Sequence, residues 1–265
     1  MLALHGRDSL AFAQSQFMND VRLLGDGQWQ WSGWLNAKGR VIALFALLRI
    51  DAETLWLLLP DVAADALAEK LQCFLFRSKL ALAPRTDLCV SAGFIAPTDA
   101  RGNVMAVGAG DIELDFSAAA GPRRLRIGPA CAAQQPDAVA RWAAFDLRHG
   151  LPRLPASQAE QWTPQQLSLE RLLAFSISKG CYPGQEIVAR THFLGQAKRG
   201  ICLLHATPAL AVGEAIGDGD HSLGTVVAAA EGWALAVLPL AGIEHLRSAN
   251  GQPVEVLPIA TGLAR

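Results

Sequence analysis

From Val41 to Leu48 every side chain is apolar, without a break. A strand wetted on one face alternates apolar and polar residues. An unbroken apolar run of this length suits a strand covered on both faces. Just before it, Trp29, Trp31, Gly33 and Leu35 alternate with Gln28, Gln30, Ser32 and Trp34 in a mostly period-two pattern. Asn36-Ala37-Lys38-Gly39 separates the two runs, and Gly39 is free to adopt positive φ. The pair predicts a hairpin whose second strand, running to Ile50, needs protein on either side. With 265 residues, 51% apolar and 18% charged, the chain can supply that cover as two domains or one large core.

Other elements follow from the same patterns. Asp8 is placed to cap a helix running to about Met18. A third strand is expected over Thr54 to Leu59, then a helix from Pro60-Asp61 to about Phe74. Further strands are expected near Leu80, Cys89 to Ile95, Val104 to Val107, Ile112 to Phe116 and Leu125 to Ile127. Pro136-Asp137 opens a helix that Gly150 ends. Thr163-Pro164-Gln165-Gln166 has the form of an N-cap, a proline at N1 and a capping-box glutamine. After Arg199, short strands alternate with turn residues, which suggests a small barrel. The expected division is 1–198 and 199–265. Helices and strands interleave without regular βαβ spacing, so the fold class is α+β.

Composition excludes several functions. The net charge of −1 gives no general attraction to nucleic acid or anionic membrane. Arg123, Arg124 and Arg126 lie close together, but Arg124 and Arg126 share a strand face that Arg123 does not, which predicts a solvated strand. The five cysteines, Cys73, Cys89, Cys131, Cys181 and Cys202, contain no C-x-x-C pair and are odd in number. That speaks against a disulfide framework and against a four-cysteine metal site. All but Cys181 sit in apolar sequence and are expected in the core. The histidines form no metal-binding pattern, and there is no Walker loop, dinucleotide fingerprint or nucleophile elbow. No basic stretch leads into an apolar run at the N-terminus, so a reducing cytoplasm is the expected location.

Residues 179–186 read Lys-Gly-Cys-Tyr-Pro-Gly-Gln-Glu. Pro183 and Gly184 occupy the central positions of a type II turn, and Gln185 to Phe193 is helix-compatible. Glu186 and Arg190 are spaced i, i+4 and are expected to pair. Cys181 would stand on a rigid corner, with Lys179 and a helix N-terminus both favouring thiolate. A packed, inert cysteine is the alternative reading.

This octapeptide, extended by Ile187-Val188-Ala189-Arg190, resembles the signature of the YgfZ family, folate-binding relatives of the glycine-cleavage T-protein (aminomethyltransferase). Phe12, Gln14, Asn19 and Asp20 resemble that family's N-terminal helix and its exit. Leu35 to Arg40 resembles its first hairpin turn. The resemblance implies ferredoxin-like lobes around a central cavity, with an inserted lobe over roughly 45–135, followed by a C-terminal β-barrel. It implies a reduced folate such as tetrahydrofolate as ligand, and support for assembly or repair of iron–sulfur enzymes such as a tRNA methylthiotransferase. tRNA modification would follow indirectly, with no direct nucleic-acid contact and no membrane.

Under that resemblance Cys181 is the working thiol and Lys179 tunes it. Trp142, eight residues before Gly150, matches a folate-contacting tryptophan. A packing role for Trp142 is the alternative. Tyr182, Gln185, Glu186 and Arg190 would shape the site. The chain departs from its relatives in two ways that bear on chemistry. The catalytic aspartate of T-proteins falls at Ala43 or Leu44, which disfavours aminomethyl transfer. A glutamate expected to grip the pterin is Arg148, which leaves open a pairing with the folate tail. Ser168 replaces an asparagine, Leu173-Ala174 replaces two glycines, and Ser178 replaces a lysine. A folate-dependent transferase and a non-catalytic interaction protein with a vestigial cavity are the competing functions.

Overall fold

A computed structural model describes the whole chain except residues 109, 131, 132, 134 and 196. Three antiparallel sheets carry the fold. The first contains β1 (Leu2–His5), β2 (Gln28–Leu35), β3 (Val41–Asp51), β4 (Thr54–Leu58) and β5 (Ala81–Pro84), in the order β2-β3-β4-β1-β5. Helices α1 (Ser9–Gln16) and α2 (Ala64–Gln72) accompany it. The second holds β6 (Cys89–Gly93), β7 (Ala106–Val107), β8 (Ile112–Asp115) and β9 (Arg124–Gly128), in the order β6-β9-β8-β7. Helices α3 (Pro136–Arg148) and α4 (Gln185–Leu194) follow. The third sheet contains β10 (Arg199–His205), β11 (Ala215–Gly217), β12 (Ser222–Ala230), β13 (Trp233–Pro239), β14 (Arg247–Ser248) and β15 (Glu255–Leu257). Its order is β14-β11-β12-β13-β10-β15.

The unbroken apolar run is a strand buried on both faces, as its pattern requires. Ala43, Phe45 and Leu47 of β3 join Phe12 and Ala13 of α1 and Leu67 and Leu71 of α2 in one core. Leu44, Ala46 and Leu48 point the other way, into a larger core shared with Trp29, Trp31, Leu114 and Leu125. That second core also takes in Leu203, Leu235 and Val237 of the third sheet, and α3 packs against β12 and β13. The C-terminus returns to the front of the chain, where Trp31 Nε1 donates to the Leu263 carbonyl at 2.6 Å.

Several expectations are adjusted. The helix expected from Pro60-Asp61 starts later, at Ala64. Asp61 instead pairs with Arg153 Nε at 2.8 Å and accepts from the Leu154 amide at 2.9 Å. Its carboxylate is thus committed to a distant loop and does not cap α2. The capping box forms without an α-helix: Gln166 N donates to Thr163 Oγ1, and Thr163 N donates to Gln166 Oε1 at 3.1 Å. Only a 3-10 turn, Leu169–Leu172, follows. Residues 45–84 run largely within the first sheet, and β6 to β9 form the separate one.

Cys73 is exposed because α2 buries Leu67, Ala68 and Leu71, a stripe that turns Cys73 outward. Cys202 is half-buried, and Cys89 is disulfide-bonded, which the spacing did not suggest. Cys131 lies outside the described residues. No helix among the described residues is long and apolar enough to cross a membrane.

Candidate functional site

A cavity of about 270 Å³ opens where the first sheet, the second sheet and α3 meet. Trp31, Leu44 and Ala46 form one wall, Phe116 and Leu125 another, and Trp142 of α3 a third. Trp29 stacks on Phe116 at 4.9 Å and fixes the aromatic wall from behind. One carboxylate, Asp146, lines this apolar space. It stands one helical turn beyond Trp142, so both side chains leave α3 on the same side.

Asp146 is held by a cation from the second sheet, at the start of β9. Arg123 Nη1 donates to Asp146 Oδ1 at 2.7 Å, and both residues are buried. The Arg123 guanidinium lies 4.1 Å from the ring centre of Trp142 and 3.9 Å from that of Phe145. Arg153 Nη1 approaches Asp146 Oδ2 at 3.6 Å. Burial pushes the Asp146 carboxyl above the usual carboxylate range, with Arg123 and Arg153 pulling against it. The expectation of a solvated strand therefore holds for Arg124 and Arg126, which pair with Glu113 and Asp111, and fails for Arg123. Arg123 directly precedes β9, and its side chain passes beneath the cavity wall and not to the surface. Neither Arg123 nor Asp146 was singled out in the sequence as a site residue. The i, i+4 spacing of Trp142 and Asp146 in a helix with an apolar stripe was the available signal.

The signature forms the expected corner. Gly184 takes φ 78° and ψ 0°, and Gln185 N donates to the Tyr182 carbonyl at 3.1 Å, which is a type II turn leading straight into α4. Gly184 packs against the first hairpin turn, with Gly39 in positive φ opposite it. Cys181 is exposed on this corner. Lys179, however, points into the protein. Its ammonium donates to the carbonyls of Phe17 and Asn19, just past the end of α1, and lies 4.8 Å from the Tyr182 ring centre. It ties the signature to α1 and turns its charge inward, away from the thiol's exposed face.

The N-terminal residues that carried the resemblance converge on the same lysine. Gln14 Nε2 donates to the Lys179 carbonyl at 3.2 Å. Asn19 Nδ2 donates to the carbonyls of Trp31 and Leu173, at 2.8 and 2.7 Å. Asp20 is paired with Arg22 at 2.8 Å. Lys179, Asn19 and Trp31 thus link the cysteine corner to the cavity wall through two hydrogen bonds.

The remaining candidates are placed as follows. Tyr182 is buried, its hydroxyl donates to the Ser176 carbonyl at 3.2 Å, and burial pushes it up to about 12. Gln185 opens α4. Glu186 and Arg190 are exposed and form no ion pair among the described residues, so the expected brace is absent. Arg148 turns away from the cavity and lies 5.1 Å from the ring centre of Trp233 on β13. Of the eight sequence candidates, Trp142 alone lines the cavity, while Cys181 and its neighbours form a second centre at the turn.

Burial also drives the Lys179 ammonium down from 10.5 to about 8. The unfolded chain then holds this proton more tightly than the folded one. Stability from this group is expected to rise as pH goes up through about 8 toward 10.5. Unfolding wild type and Lys179→Met in urea at pH 7 and pH 10 checks this. The gap between them should widen at pH 10, because the neutral amine still donates both hydrogen bonds. An equal gap at both pH values would refute the buried-cation account.

Curated relatives named tRNA-modifying protein YgfZ, from Cronobacter sakazakii and Klebsiella pneumoniae, are each 30% identical over 87% of this chain and 78% of their own length. The chain belongs to the YgfZ family. A further YgfZ from Sodalis glossinidius is 29% identical over 99% of this chain and 91% of its own. No protein-family model matches the chain. The crystal structure of glycine cleavage system aminomethyltransferase T from Bartonella henselae shares the fold, with a TM-score of 0.78 at 15% identity, covering 100% of this chain and 84% of that one. The fold is therefore T-protein-like.

Of the two residues expected at the place of the T-protein aspartate, Leu44 is an apolar wall residue of the cavity and Ala43 is buried on the opposite side of β3. Ser168 and Leu173, expected from the resemblance to be asparagine and glycine, take left-handed backbone, at φ 47° and 56°. That is the conformation asparagine and glycine adopt most readily. Ser168 adds a hydrogen bond of its own, accepting from Ile201 N at 3.1 Å.

Proposed function

We propose that this chain is an accessory protein in tRNA modification that binds a reduced folate in the central cavity and presents Cys181 as a working thiol to iron–sulfur enzymes. The names of the YgfZ relatives support the first part. The observation that carries the folate reading is the cavity: aromatic and apolar walls around one carboxylate. A pterin is flat and carries N–H and NH₂ donors on its pyrimidine edge. Trp142 offers a ring for it to lie against, and the lone pairs of Asp146 not taken by Arg123 would accept from that edge. Arg153, at the same cavity and partly exposed, suits the acidic tail. Asp146 thus supplies from inside the cavity the carboxylate that the Arg148 position lacks.

The reading disfavours aminomethyl transfer, because Leu44 offers no carboxylate on the β3 wall. The thiol's part in the scheme rests on its exposure and its rigid mount, not on Lys179.

Titration with 5-formyltetrahydrofolate, followed by tryptophan fluorescence, tests the ligand. Wild type should quench saturably, through Trp31 and Trp142. Asp146→Asn should bind at least about tenfold more weakly, in line with loss of one charge-assisted hydrogen bond worth about 1.5–3 kcal/mol. Absence of saturable quenching in wild type would leave the cavity vestigial. For the thiol, Cys181→Ala should fail to restore tRNA methylthiolation in cells lacking the protein, while wild type restores it. Equal restoration would make Cys181 structural.

A further inference from the structure

A second cavity has the opposite chemistry. It is also about 270 Å³, and Arg40, Thr163, Gln166, Thr191, Lys198 and Arg199 line it. These come from four places: the exit of the first hairpin turn, the capping-box turn, the last turns of α4 and the entry to β10. Among the described residues, no carboxylate lines it. Among the described residues, none of its three cations forms an ion pair. Three like charges thus gather in one recess of a chain whose net charge is −1.

The hydrogen bonds fix what this recess presents. Gln166 Oε1 accepts from Arg40 Nη1 at 3.0 Å and from the Thr163 amide at 3.1 Å. The acceptor end of that amide is therefore spent, and its NH₂ end remains. Arg40 Nη1 also donates to the Gln161 carbonyl at 2.6 Å, which orients the guanidinium and leaves its other N–H groups over. Thr191 Oγ1 donates to the Ile187 carbonyl at 2.9 Å. What is left to meet a ligand is almost entirely donor: two guanidinium groups, one ammonium and one amide NH₂. A cation near the end of α4 would by itself complement the helix dipole. That accounts for Lys198 or Arg199, but not for Arg40, which arrives from the first sheet and is held in place by Gln166.

We infer that this recess is a binding site for phosphate groups. Several donors converging from different directions, with two arginine forks among them, match the tetrahedrally set oxygens of a phosphate, free or in a backbone, better than the planar pair of a carboxylate. The site is separate from the folate cavity and does not depend on that reading. The phosphate has two possible sources: a free phosphoanion or an RNA backbone.

The test is calorimetric titration of the full chain at low salt with pyrophosphate and, in parallel, with a short single-stranded RNA. The variants are Lys198→Gln/Arg199→Gln, the charge-keeping Arg199→Lys, and Arg7→Gln as a charge control away from the recess. The double variant should bind at least about tenfold more weakly, Arg199→Lys, which keeps the charge but loses the fork, should fall between wild type and the double variant, and Arg7→Gln should match wild type. Loss confined to pyrophosphate assigns a free anion. Loss confined to RNA, with affinity falling steeply as salt rises, assigns the backbone. The inference is overturned if neither probe binds wild type, if the double variant binds like wild type, or if Arg7→Gln weakens binding as much as the double variant does.

Discussion

Replacing Arg123 with methionine is expected to destabilise the protein by about 3–5 kcal/mol, the usual cost of stranding one member of a buried ion pair. Arg123 is fully buried, and its charge is met by Asp146 at 2.7 Å and by the faces of Trp142 and Phe145. Its Nε also donates to the Phe116 carbonyl at 3.2 Å. Without it, a buried carboxylate would keep only Arg153, at 3.6 Å. The double variant Arg123→Met/Asp146→Leu should recover most of the loss, because an apolar pair of similar volume avoids desolvating two charges. Urea unfolding of the three chains measures both numbers. A single-variant cost below about 1 kcal/mol, the range of exposed pairs, would mean that water reaches this pair and that the cavity floor is not dry. The result matters for function, since the same arginine positions both the carboxylate and the tryptophan of the folate reading.

Gly184→Ala is the second large effect. The glycine sits at φ +78°, and an added Cβ would lie 2.6 Å from the Asn36 carbonyl oxygen and 2.7 Å from Gly39 Cα. Those are backbone atoms of the first hairpin turn, which has no slack, because Gly39 is itself close-packed against Ile187. Left-handed backbone costs an L-residue about 1–2 kcal/mol, and overpacking adds about 1–3 kcal/mol. Gly180→Ala separates the two terms. Its φ is +96°, but nothing lies within 4 Å of the added carbon, so it should pay the backbone cost alone. If the two alanine variants unfold at the same urea concentration, the signature turn is not locked to the hairpin. If Gly184→Ala is the weaker by about 1–3 kcal/mol, the corner carrying Cys181 is built by a contact between segments nearly 150 residues apart.

Much of the local structure was legible. The apolar run of β3, the alternation in β2, the proline start and glycine end of α3, and the proline-glycine turn of the signature each reflect short-range rules of backbone geometry and solvent contact. Those rules act within a few residues, so a single sequence displays them. Three of the errors share one physical cause. Asp61 read as the start of a helix and became a clasp for Arg153. Arg123 read as a solvated strand residue and became the buried partner of Asp146. Lys179 read as a neighbour of the thiol and became a tie to α1. In each case a charged side chain had several local options, and the choice was made by carbonyls or carboxylates supplied from elsewhere in the chain.

The sequence by itself determined the family, the α+β class and the exposed corner that bears Cys181, because these rest on a specific octapeptide and on periodicity. Only the tertiary structure decided which charges are inside. Burying a charge is favourable only where a partner meets it, and the partners here lie 23 residues apart for Arg123 and Asp146 and about 160 apart for Lys179 and the end of α1.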